Sequence, residues 1–507
     1  MSAERKEKIK KIAVKTAVAA LWLALWQLVC MAVNMELLVV SPWRVAKRLW
    51  ALSLTWEFWR TALGSLGRIT EGFVLGSATG AILAMLCHKF TFAREFFTPA
   101  ITLIKSTPVA SFIILALVWL TGQRVPVFIA FLMVLPVVYG NVFQGIREVD
   151  PKLLEMAKVY GMNRQKRVMK ITIPSVLPYM MAACRTALGL SWKAGVAAEV
   201  IGVTKDSIGR QLYYSKIYLE TADLFAWTAV VIILSIVLEK CFVRAVNGLS
   251  QKLHLVRAVS PSPRERMAPS DDLPEEAKAA GNPLSIQEDS GKKWREGRQP
   301  DACGEIPNSL AGGMSMTLRL TNVSKAFGEK QVLKDFSLTA REGERVCLLG
   351  PSGGGKTTLL NIVAGLLPPD SGERELPAGR ISYIFQEYRL LPWLTAEENI
   401  TEATGCTKER AREMLQAVEL LSERRGYPDD FSGGMKQRLN IARALARDSK
   451  LILMDEPFKG LDPELRERVI DRVNDCCENR TVLLVTHDKA ESDLLHCTRM
   501  LTLEGMM

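Results

Sequence analysis

Long apolar runs recur through the first half of the chain. The first covers residues 16–35 and carries no charged side chain over twenty positions. At about 1.5 Å per residue, such a helix crosses the ~30 Å hydrocarbon core of a bilayer. Further runs cover residues 61–87, 97–120, 125–146, 174–202 and 222–245, and the uncharged part of the last, residues 224–238, covers only about 22 Å. The pattern predicts an all-α polytopic membrane region with about six transmembrane helices.

The periodicity changes in the last third of the chain. Residues 346–349 are apolar and are followed by a glycine-rich turn, after which residues 357–364 have helical character. Further short apolar runs at residues 381–385, 451–454 and 482–485 indicate buried strands. This alternation predicts an α/β domain of the P-loop kind. The chain is therefore expected to have two domains of different class.

A polar segment separates the two halves. Residues 255–315 lack apolar periodicity and mix seven prolines with Ser, Gly, Glu and Lys. Such a composition cannot bury enough apolar surface to offset chain entropy. We therefore expect a membrane domain at residues 1–254, a flexible linker at 255–315 and the α/β domain at 316–507.

Basic residues predict the orientation. The loop between the fourth and fifth runs carries seven basic and three acidic residues, so it is expected to be cytoplasmic. With six spans, both ends of this multi-pass chain then lie in the cytoplasm, together with the predicted α/β domain. Arg44, Lys47, Arg48 and Arg60, between the first two runs, argue mildly for the opposite orientation.

Composition changes this picture little. The net charge of +11 could indicate nucleic acid, but many basic residues flank apolar runs, which favours membrane lipid as the partner. The ten cysteines show no paired pattern, so we expect neither a disulfide framework nor a zinc site.

The glycine-rich turn has the spacing of a phosphate-binding loop. Its glycines let successive amides point inward, and the following helix start adds partial positive charge. Lys356 is predicted to reach the β- and γ-phosphates of ATP, and Thr357 to place its hydroxyl on Mg²⁺. The predicted nucleotide contacts in this stretch are Gly350, Pro351, Ser352, Gly353, Gly354, Gly355, Lys356, Thr357 and Thr358.

Two carboxylates end another predicted strand. Asp455 is expected to hold Mg²⁺, and Glu456 to act as general base or to orient the attacking water. Gln386 follows the strand at 381–385 and is predicted to contact the metal and the reacting water. A chance acidic pair is the alternative, but the phosphate-binding loop in the same chain makes it improbable.

These motifs together resemble an ABC ATPase. Ser432, Gly433 and Gly434, at the start of a predicted helix, resemble its signature motif, although a simple helix cap is the alternative. His487 resembles the switch histidine and Asp462 the D-loop aspartate, while Phe327 stands where the family stacks an aromatic ring on adenine. The resemblance covers about residues 317–507 and departs from the usual pattern at Phe431 and Gly460.

The predicted cytoplasmic loop resembles the EAA motif of bacterial ABC importer permeases. Glu155, Ala157, Gly161 and Pro174 stand at the motif's spacing, with Met156 and Ile173 as departures. The resemblance implies a knob that docks on the ATPase; a basic loop lying on lipid is the alternative. Residues 60–245 further resemble permeases of the nitrate/sulfonate/taurine group, and residues 391–395 resemble its ATPases.

Three ionisable residues lie within the fifth run. Arg185, Lys193 and Glu199 would be costly in hydrocarbon unless they face protein or a water-filled path. We place them on the translocation path, with a purely structural internal pairing as the alternative.

The resemblance implies an ATP-driven importer. Because the signature faces the phosphate loop of a second ATPase, it implies a homodimer, with a small solute delivered by an extracytoplasmic substrate-binding protein. The solute is expected to be an anion such as nitrate, a sulfonate or bicarbonate. An exporter half-transporter and a non-transporting membrane-bound P-loop ATPase are the alternatives, and no residue identifies the solute.

Overall fold

The chain folds into two compact units. The computed structural model describes residues 3–33, 35, 38–252, 316–351, 353–376 and 380–502. The first unit comprises Met1–Leu154 and Asn163–Ser260, and the second comprises Glu155–Met162 together with Pro261–Met507. The predicted linker at residues 255–315 and Ser352 lie outside the described residues.

The first unit is helical. Its helices, in chain order, are α1 (Ala3–Val33), α2 (Pro42–Ser53), α3 (Trp56–Lys89), α4 (Thr91–Ser106), α5 (Val109–Trp119), α6 (Val125–Arg147), α7 (Pro151–Val159, whose last residues belong to the second unit), α8 (Arg164–Arg167), α9 (Ile173–Gly202), α10 (Ile208–Ile217) and α11 (Thr221–Lys252). One π-helical turn, Val168–Thr172, joins α8 to α9.

Small residues let α3 and α6 approach closely. Gly72, Gly76 and Gly80 repeat every fourth position of α3, and each faces α6. A Cβ added at Gly76 would lie 2.8 Å from the carbonyl oxygen of Phe131. Small residues at this spacing are typical of helix pairs packed within membranes. Together with α9, these helices form the core of the first unit.

Four helices are long and apolar enough to cross a membrane, among the residues described. These segments are Thr16–Val33, Trp56–Lys89, Val125–Arg147 and Thr221–Ala245. The predicted span at residues 97–120 is instead a pair of helices, α4 and α5, and the chain direction bends by 108° between them. The bend falls at Pro108, which has no amide hydrogen and forces Thr107 into an extended conformation.

The fifth predicted run forms one continuous helix. Helix α9 has 30 residues and is long enough to span, but it does not meet the same criteria of hydropathy and charge. Arg185, Lys193 and Glu199 all lie in it.

The second unit contains two sheets. Strands β1 (Met316–Phe327), β2 (Lys330–Arg341) and β4 (Ser371–Glu375) form an antiparallel sheet in the order β2-β1-β4. Strands β3 (Arg345–Leu349), β5 (Ile381–Ile384), β6 (Leu451–Asp455), β7 (Thr481–Thr486) and β8 (Arg499–Thr502) form a parallel sheet in the order β5-β6-β7-β3-β8. The strands predicted from apolar runs are thus confirmed.

Among the described residues, six α-helices accompany these sheets. They are α12 (Lys356–Val363), α13 (Ala396–Thr404), α14 (Lys408–Ala417), α15 (Gly433–Ala446), α16 (Pro463–Cys476) and α17 (Lys489–Leu494). Strands β6 and β7 are buried at every position, so they lie in the centre of the core. Because β5, β6, β7 and β3 are parallel neighbours, the residues that follow them share one edge of the sheet.

Candidate nucleotide site and coupling segment

The loop between β3 and α12 has the backbone of a phosphate-binding loop. Gly353 and Gly355 adopt φ values of +84° and +81°, in the region that favours glycine. A Cβ at Gly355 would lie 2.8 Å from Cγ1 of Val332, so no larger residue fits without a shift. The Lys356 ammonium folds back onto the loop and donates to the carbonyls of Gly350 and Pro351, each at 2.7 Å.

A hydroxyl and a carboxylate meet beside this loop. Thr357 Oγ1 donates to Asp455 Oδ2 at 2.8 Å, which joins the start of α12 to the end of β6. Burial raises the pKa of Asp455 to about 6; the hydrogen bond from Thr357 opposes this rise, and the nearby charge of Glu456 adds to it. Two oxygen ligands of this kind fit Mg²⁺.

Glu456 is the centre of the predicted catalytic group. Gln386 Nε2 lies 3.3 Å from Glu456 Oε2, and His487 Nδ1 lies 3.4 Å from Oε1. Lys459, which the sequence analysis did not select, donates to Oε2 at 2.7 Å. Burial alone would raise the pKa of Glu456, but the Lys459 and His487 groups hold it below its ordinary value. Gln386, Glu456 and His487 are therefore brought together.

The backbone fixes Glu456 in an unusual conformation. Its φ is +44°, which non-glycine residues rarely adopt. Its amide donates to the carbonyl of Val485 in β7 at 2.9 Å, which anchors the turn after β6. Strain of this kind is frequent at functional sites.

The signature residues stand apart from the phosphate loop. Ser432 caps α15 by accepting from the amide of Met435 at 3.3 Å, and both Ser432 and Gly433 are exposed. Among the described residues, no hydrogen bond joins Ser432 to the loop of its own chain. Asp462 likewise caps α16, and its carboxylate accepts from the amide of Leu465.

The predicted adenine-stacking residue lies at the end of β1. The ring of Phe327 is 52% exposed, and the ammonium of Lys325 lies 5.7 Å from the ring centroid. An exposed aromatic face at this strand end is free to stack on a flat ligand.

The segment Glu155–Met162 packs within the second unit. Met156 and Ala157 are fully buried, and Tyr160 is 3% exposed. The Glu155 carboxylate lies 2.8 Å from the guanidinium of Arg389, which stacks 3.9 Å from the ring centroid of Phe385. Phe385 immediately precedes Gln386 in the chain. The contact between Arg389 and Phe385 therefore lies next to the predicted catalytic residues.

Tyr160 is held by two arginines. The guanidinium carbons of Arg443 and Arg447 each lie 5.3 Å from its ring centroid, a distance typical of cation–π contacts. Its hydroxyl donates to the carbonyl of Tyr383 at 3.1 Å, on the edge strand β5. Arg447 also donates to the carbonyl of Val159 at 2.9 Å.

Backbone geometry completes the segment. Gly161 adopts a φ of +63°, which ends the short helix α7 and explains the glycine in the predicted motif. The ammonium of Lys158 donates to the carbonyl of Gly365 at 2.8 Å. Pro174, by contrast, lies in the first turn of α9, in the first unit.

Sequence reasoning missed the arginines. Arg389, Arg443 and Arg447 bind Glu155–Met162 but carry no motif of their own. The only local signal is the clustering of Arg443 and Arg447 at the end of an apolar helix, where basic residues are common.

The three charges of α9 do not form one site. Glu199 is fully buried, accepts from Ser65 Oγ at 2.7 Å and pairs with Arg68 at 2.9 Å. Arg185 and Lys193 are exposed on the unit as a single chain. Glu199 is therefore explained by the alternative of a structural pairing inside the protein, with Arg68 as its partner. Arg185 and Lys193 are not part of that pairing.

Two family models match the chain. The model described as the binding-protein-dependent transport system inner membrane component matches residues 76–254. The model described as ABC transporter matches residues 333–459. The two halves predicted from the hydrophobic pattern thus match two known components of transport systems.

Two relatives are described as import ATP-binding proteins. The chain is 42% identical over 185 residues to an aliphatic sulfonates import ATP-binding protein of Rhodococcus jostii, covering 36% of this chain and 69% of that protein. It is 40% identical over 196 residues to a protein of the same description from Bacillus licheniformis, covering 35% of this chain and 76% of that protein.

Solved structures of ABC cassettes also resemble part of this chain. A dimeric bacterial ABC transporter cassette is 32% identical, covers 37% of this chain and 94% of its own, and has a TM-score of 0.35. The family models and the relatives agree with the nucleotide-site motifs: the chain belongs to the ABC transporter family, as an importer that joins a membrane permease and an ATP-hydrolysing cassette in one polypeptide.

Proposed function

We propose that two copies of this chain form an ATP-driven importer of a small anion. The burial of Glu155–Met162 among residues of the ATPase carries this proposal, because it gives the nucleotide site a mechanical connection to the permease. The permease domain is residues 1–254 and the ATP-binding domain residues 316–507, with 255–315 as the linker. The membrane is the inner (cytoplasmic) membrane, with the ATPase on its cytoplasmic side.

The pairing of two chains follows from the signature. Ser432, Gly433 and Gly434 are at the start of a 14-residue helix, where amides and the helix dipole favour a phosphate. The exposed hydroxyl of Ser432 is available to a nucleotide held by the partner chain's loop. Two ATP molecules would then lie between two ATPases, each contacted by Gly350 to Thr358 of one copy and by the signature of the other.

The chain's own residues arrange hydrolysis. Lys356 would exchange its carbonyl partners for the β- and γ-phosphate oxygens of ATP, and Phe327 would stack on adenine. Glu456, whose pKa Lys459 and His487 hold below its ordinary value, would orient the attacking water and accept its proton, with Gln386 positioning that water. Asp462 would order the turn beside the site.

Thr357, Asp455 and Gln386 would hold Mg²⁺. Bound there, the ion would neutralise charge on the phosphate oxygens. The hydroxyl of Thr357 and the carboxylate of Asp455 already meet at 2.8 Å, which is the donor chemistry that Mg²⁺ prefers.

Coupling would run through Glu155, Ala157 and Gly161. A change at Gln386 moves the loop that carries Arg389, and Arg389 holds Glu155. Tyr160 adds a rigid anchor between Arg443 and Arg447. The ATP-bound and ATP-free states would thus bias two arrangements of the permease.

The solute is proposed to be an anion, such as a sulfonate or taurine, nitrate or bicarbonate. The relatives are described as import proteins for aliphatic sulfonates. Arg185 and Lys193 lie well inside α9 and are exposed in one copy, and exposed charges at that depth require a second copy or a water-filled path. An external substrate-binding protein would supply the solute and the specificity.

Transport into proteoliposomes tests this function. The full chain would be reconstituted with each candidate binding protein of its host, and uptake of radiolabelled taurine, nitrate and bicarbonate measured with ATP on the ATPase side. We expect uptake of one anion that the Glu456→Gln variant does not support. ATP-dependent movement towards the binding-protein side, or hydrolysis without movement of any of them, would contradict the proposal.

A further inference from the structure

A basic hollow of about 340 Å³ lies in the ATPase unit, away from the phosphate-binding loop. It is bounded by the end of α13, the start of α14 and the residues after α15. Four guanidinium groups line it against one carboxylate, from Arg380, Arg410, Arg447, Arg480 and Asp448. Gathering like charges in a concave site is costly unless an anion is bound there.

Arg447 forms the buried wall of this hollow. It is 6% exposed, and its Nε has no hydrogen-bond partner among the described residues. Burial lowers the pKa of this guanidinium, and the charge of Arg380 lowers it further, while Tyr160 opposes the shift. Among the described residues no carboxylate pairs with this buried guanidinium, and an anion in the hollow would offset the cost of burying its charge.

Arg480 and Arg410 are held in place by other groups, and neither is paired with a buried carboxylate. Arg480 donates to the carbonyls of Leu445 at 3.3 Å and Arg447 at 3.1 Å, both neutral acceptors. Arg410 pairs only at the surface, where its side chain is 40% and that of Glu413 61% exposed. An exposed pair of this kind contributes little and is readily exchanged for a bound ligand.

The start of α14 contributes to the same field. This helix has ten residues, and Thr407 caps it by accepting from the amide of Arg410 at 3.3 Å. Thr407 also lines the hollow. The positive end of the helix dipole therefore adds to the four guanidinium groups.

We propose that this hollow binds a small tetrahedral oxyanion, such as sulfate, phosphate or the head of a sulfonate. Guanidinium groups bind such anions through paired hydrogen bonds, and four of them line this hollow. This site is distinct from the nucleotide site, because no residue of the phosphate-binding loop lines it. Because Arg447 also binds the carbonyl of Val159, the site adjoins the segment proposed to couple the ATPase to the permease.

Equilibrium binding to the full chain in lipid nanodiscs tests the proposal. Radiolabelled sulfate, phosphate and methanesulfonate would be used separately, with a non-hydrolysable ATP analogue at saturation so that the phosphate-binding loop is filled. The variant Arg380→Gln/Arg410→Gln removes two positive charges from the hollow. The matched control, Arg319→Gln/Arg472→Gln, removes two exposed positive charges elsewhere on the same unit.

We expect the hollow variant to raise the Kd of at least one probe about tenfold or more, while the control stays within about twofold of the unaltered chain. The probe with the lowest Kd identifies the class of oxyanion. Equal affinities in the hollow variant and the unaltered chain, or equal losses in both variants, would overturn the proposal. Binding of the ATP analogue, measured in parallel, verifies that each variant is folded.

Discussion

The carboxylate of Glu155 and the guanidinium of Arg389 lie 2.8 Å apart, although 234 positions separate them in the sequence. Arg389 is 12% and Glu155 44% exposed, so the pair is partly shielded from water. Its arginine follows Gln386 by three residues. This ion pair therefore joins the predicted importer motif to the loop beside the nucleotide site.

Reversing both charges tests that pair. Glu155→Arg and Arg389→Glu should each reduce transport per ATP hydrolysed, because each leaves two like charges in contact. The double variant should recover part of the loss, with a coupling free energy of about 1 kcal/mol. The measurement is a double-mutant cycle on solute uptake and ATP hydrolysis. Strictly additive effects would show that the pair does not matter for coupling.

Tyr160 offers a graded test of the anchor. Tyr160→Phe keeps the ring between Arg443 and Arg447 but loses the hydrogen bond to Tyr383, which should cost about 1 kcal/mol. Tyr160→Ala also removes the buried ring and should cost about 3 kcal/mol of packing. We expect transport to fall slightly in the first variant and strongly in the second, with ATP binding unchanged in both. Equal transport by the two variants would show that the contacts of the Tyr160 ring with Arg443 and Arg447 do not contribute to coupling.

The variant Glu456→Gln tests the proposed role of Glu456 as the group that accepts a proton from the attacking water. The amide cannot accept a proton from water, so hydrolysis should fall by about 100-fold or more while ATP binding is retained. The exposed Glu478 supplies a matched control, because Glu478→Gln makes the same change away from the site. ATP binding and phosphate release would be measured on the purified full chain. Hydrolysis at the unaltered rate in Glu456→Gln would refute the role of this residue.

Substituting two glycines of α3 by alanine distinguishes the effect of close helix packing on stability from the effect of helix propensity. Gly76→Ala places a methyl group 2.8 Å from the Phe131 carbonyl and should destabilise the membrane unit by about 2 kcal/mol. At Gly67 an added Cβ meets nothing within 4 Å of the described residues, so Gly67→Ala should leave stability unchanged or raise it by up to about 1 kcal/mol. Thermal unfolding in detergent measures both. A Gly76→Ala variant as stable as Gly67→Ala would mean that α3 and α6 do not pack as described.

The sequence predicts Gln386, Glu456 and His487 as site residues because each comes after a buried strand. Gln386, Glu456 and His487 come after β5, β6 and β7, and strand polarity alone places them at one edge. The three side chains that contact Glu456, from Gln386, Lys459 and His487, could not be ranked from sequence. Lys459 lies three residues further along a turn whose course depends on the positive φ of Glu456.

Long-range contacts explain what sequence could not predict. Arg389 and Arg447 bind Glu155–Met162 across more than 200 positions, and no periodicity connects them. The bend at Pro108 was missed for a different reason: apolar composition continues through it, and only the conformational restriction on Thr107 interrupts the helix. The pairing of Glu199 with Arg68 likewise depends on how α3 and α9 pack.

Hydrogen exchange of the full chain in nanodiscs tests the central claim that nucleotide binding reaches the permease through Glu155–Met162. In Glu456→Gln, ATP should protect the amides of the phosphate-binding loop and also change exchange in the membrane unit's segment between α9 and α10. Adding Tyr160→Ala should abolish the second change and keep the first. A membrane unit that responds equally with and without Tyr160, or that never responds to ATP, would contradict the account.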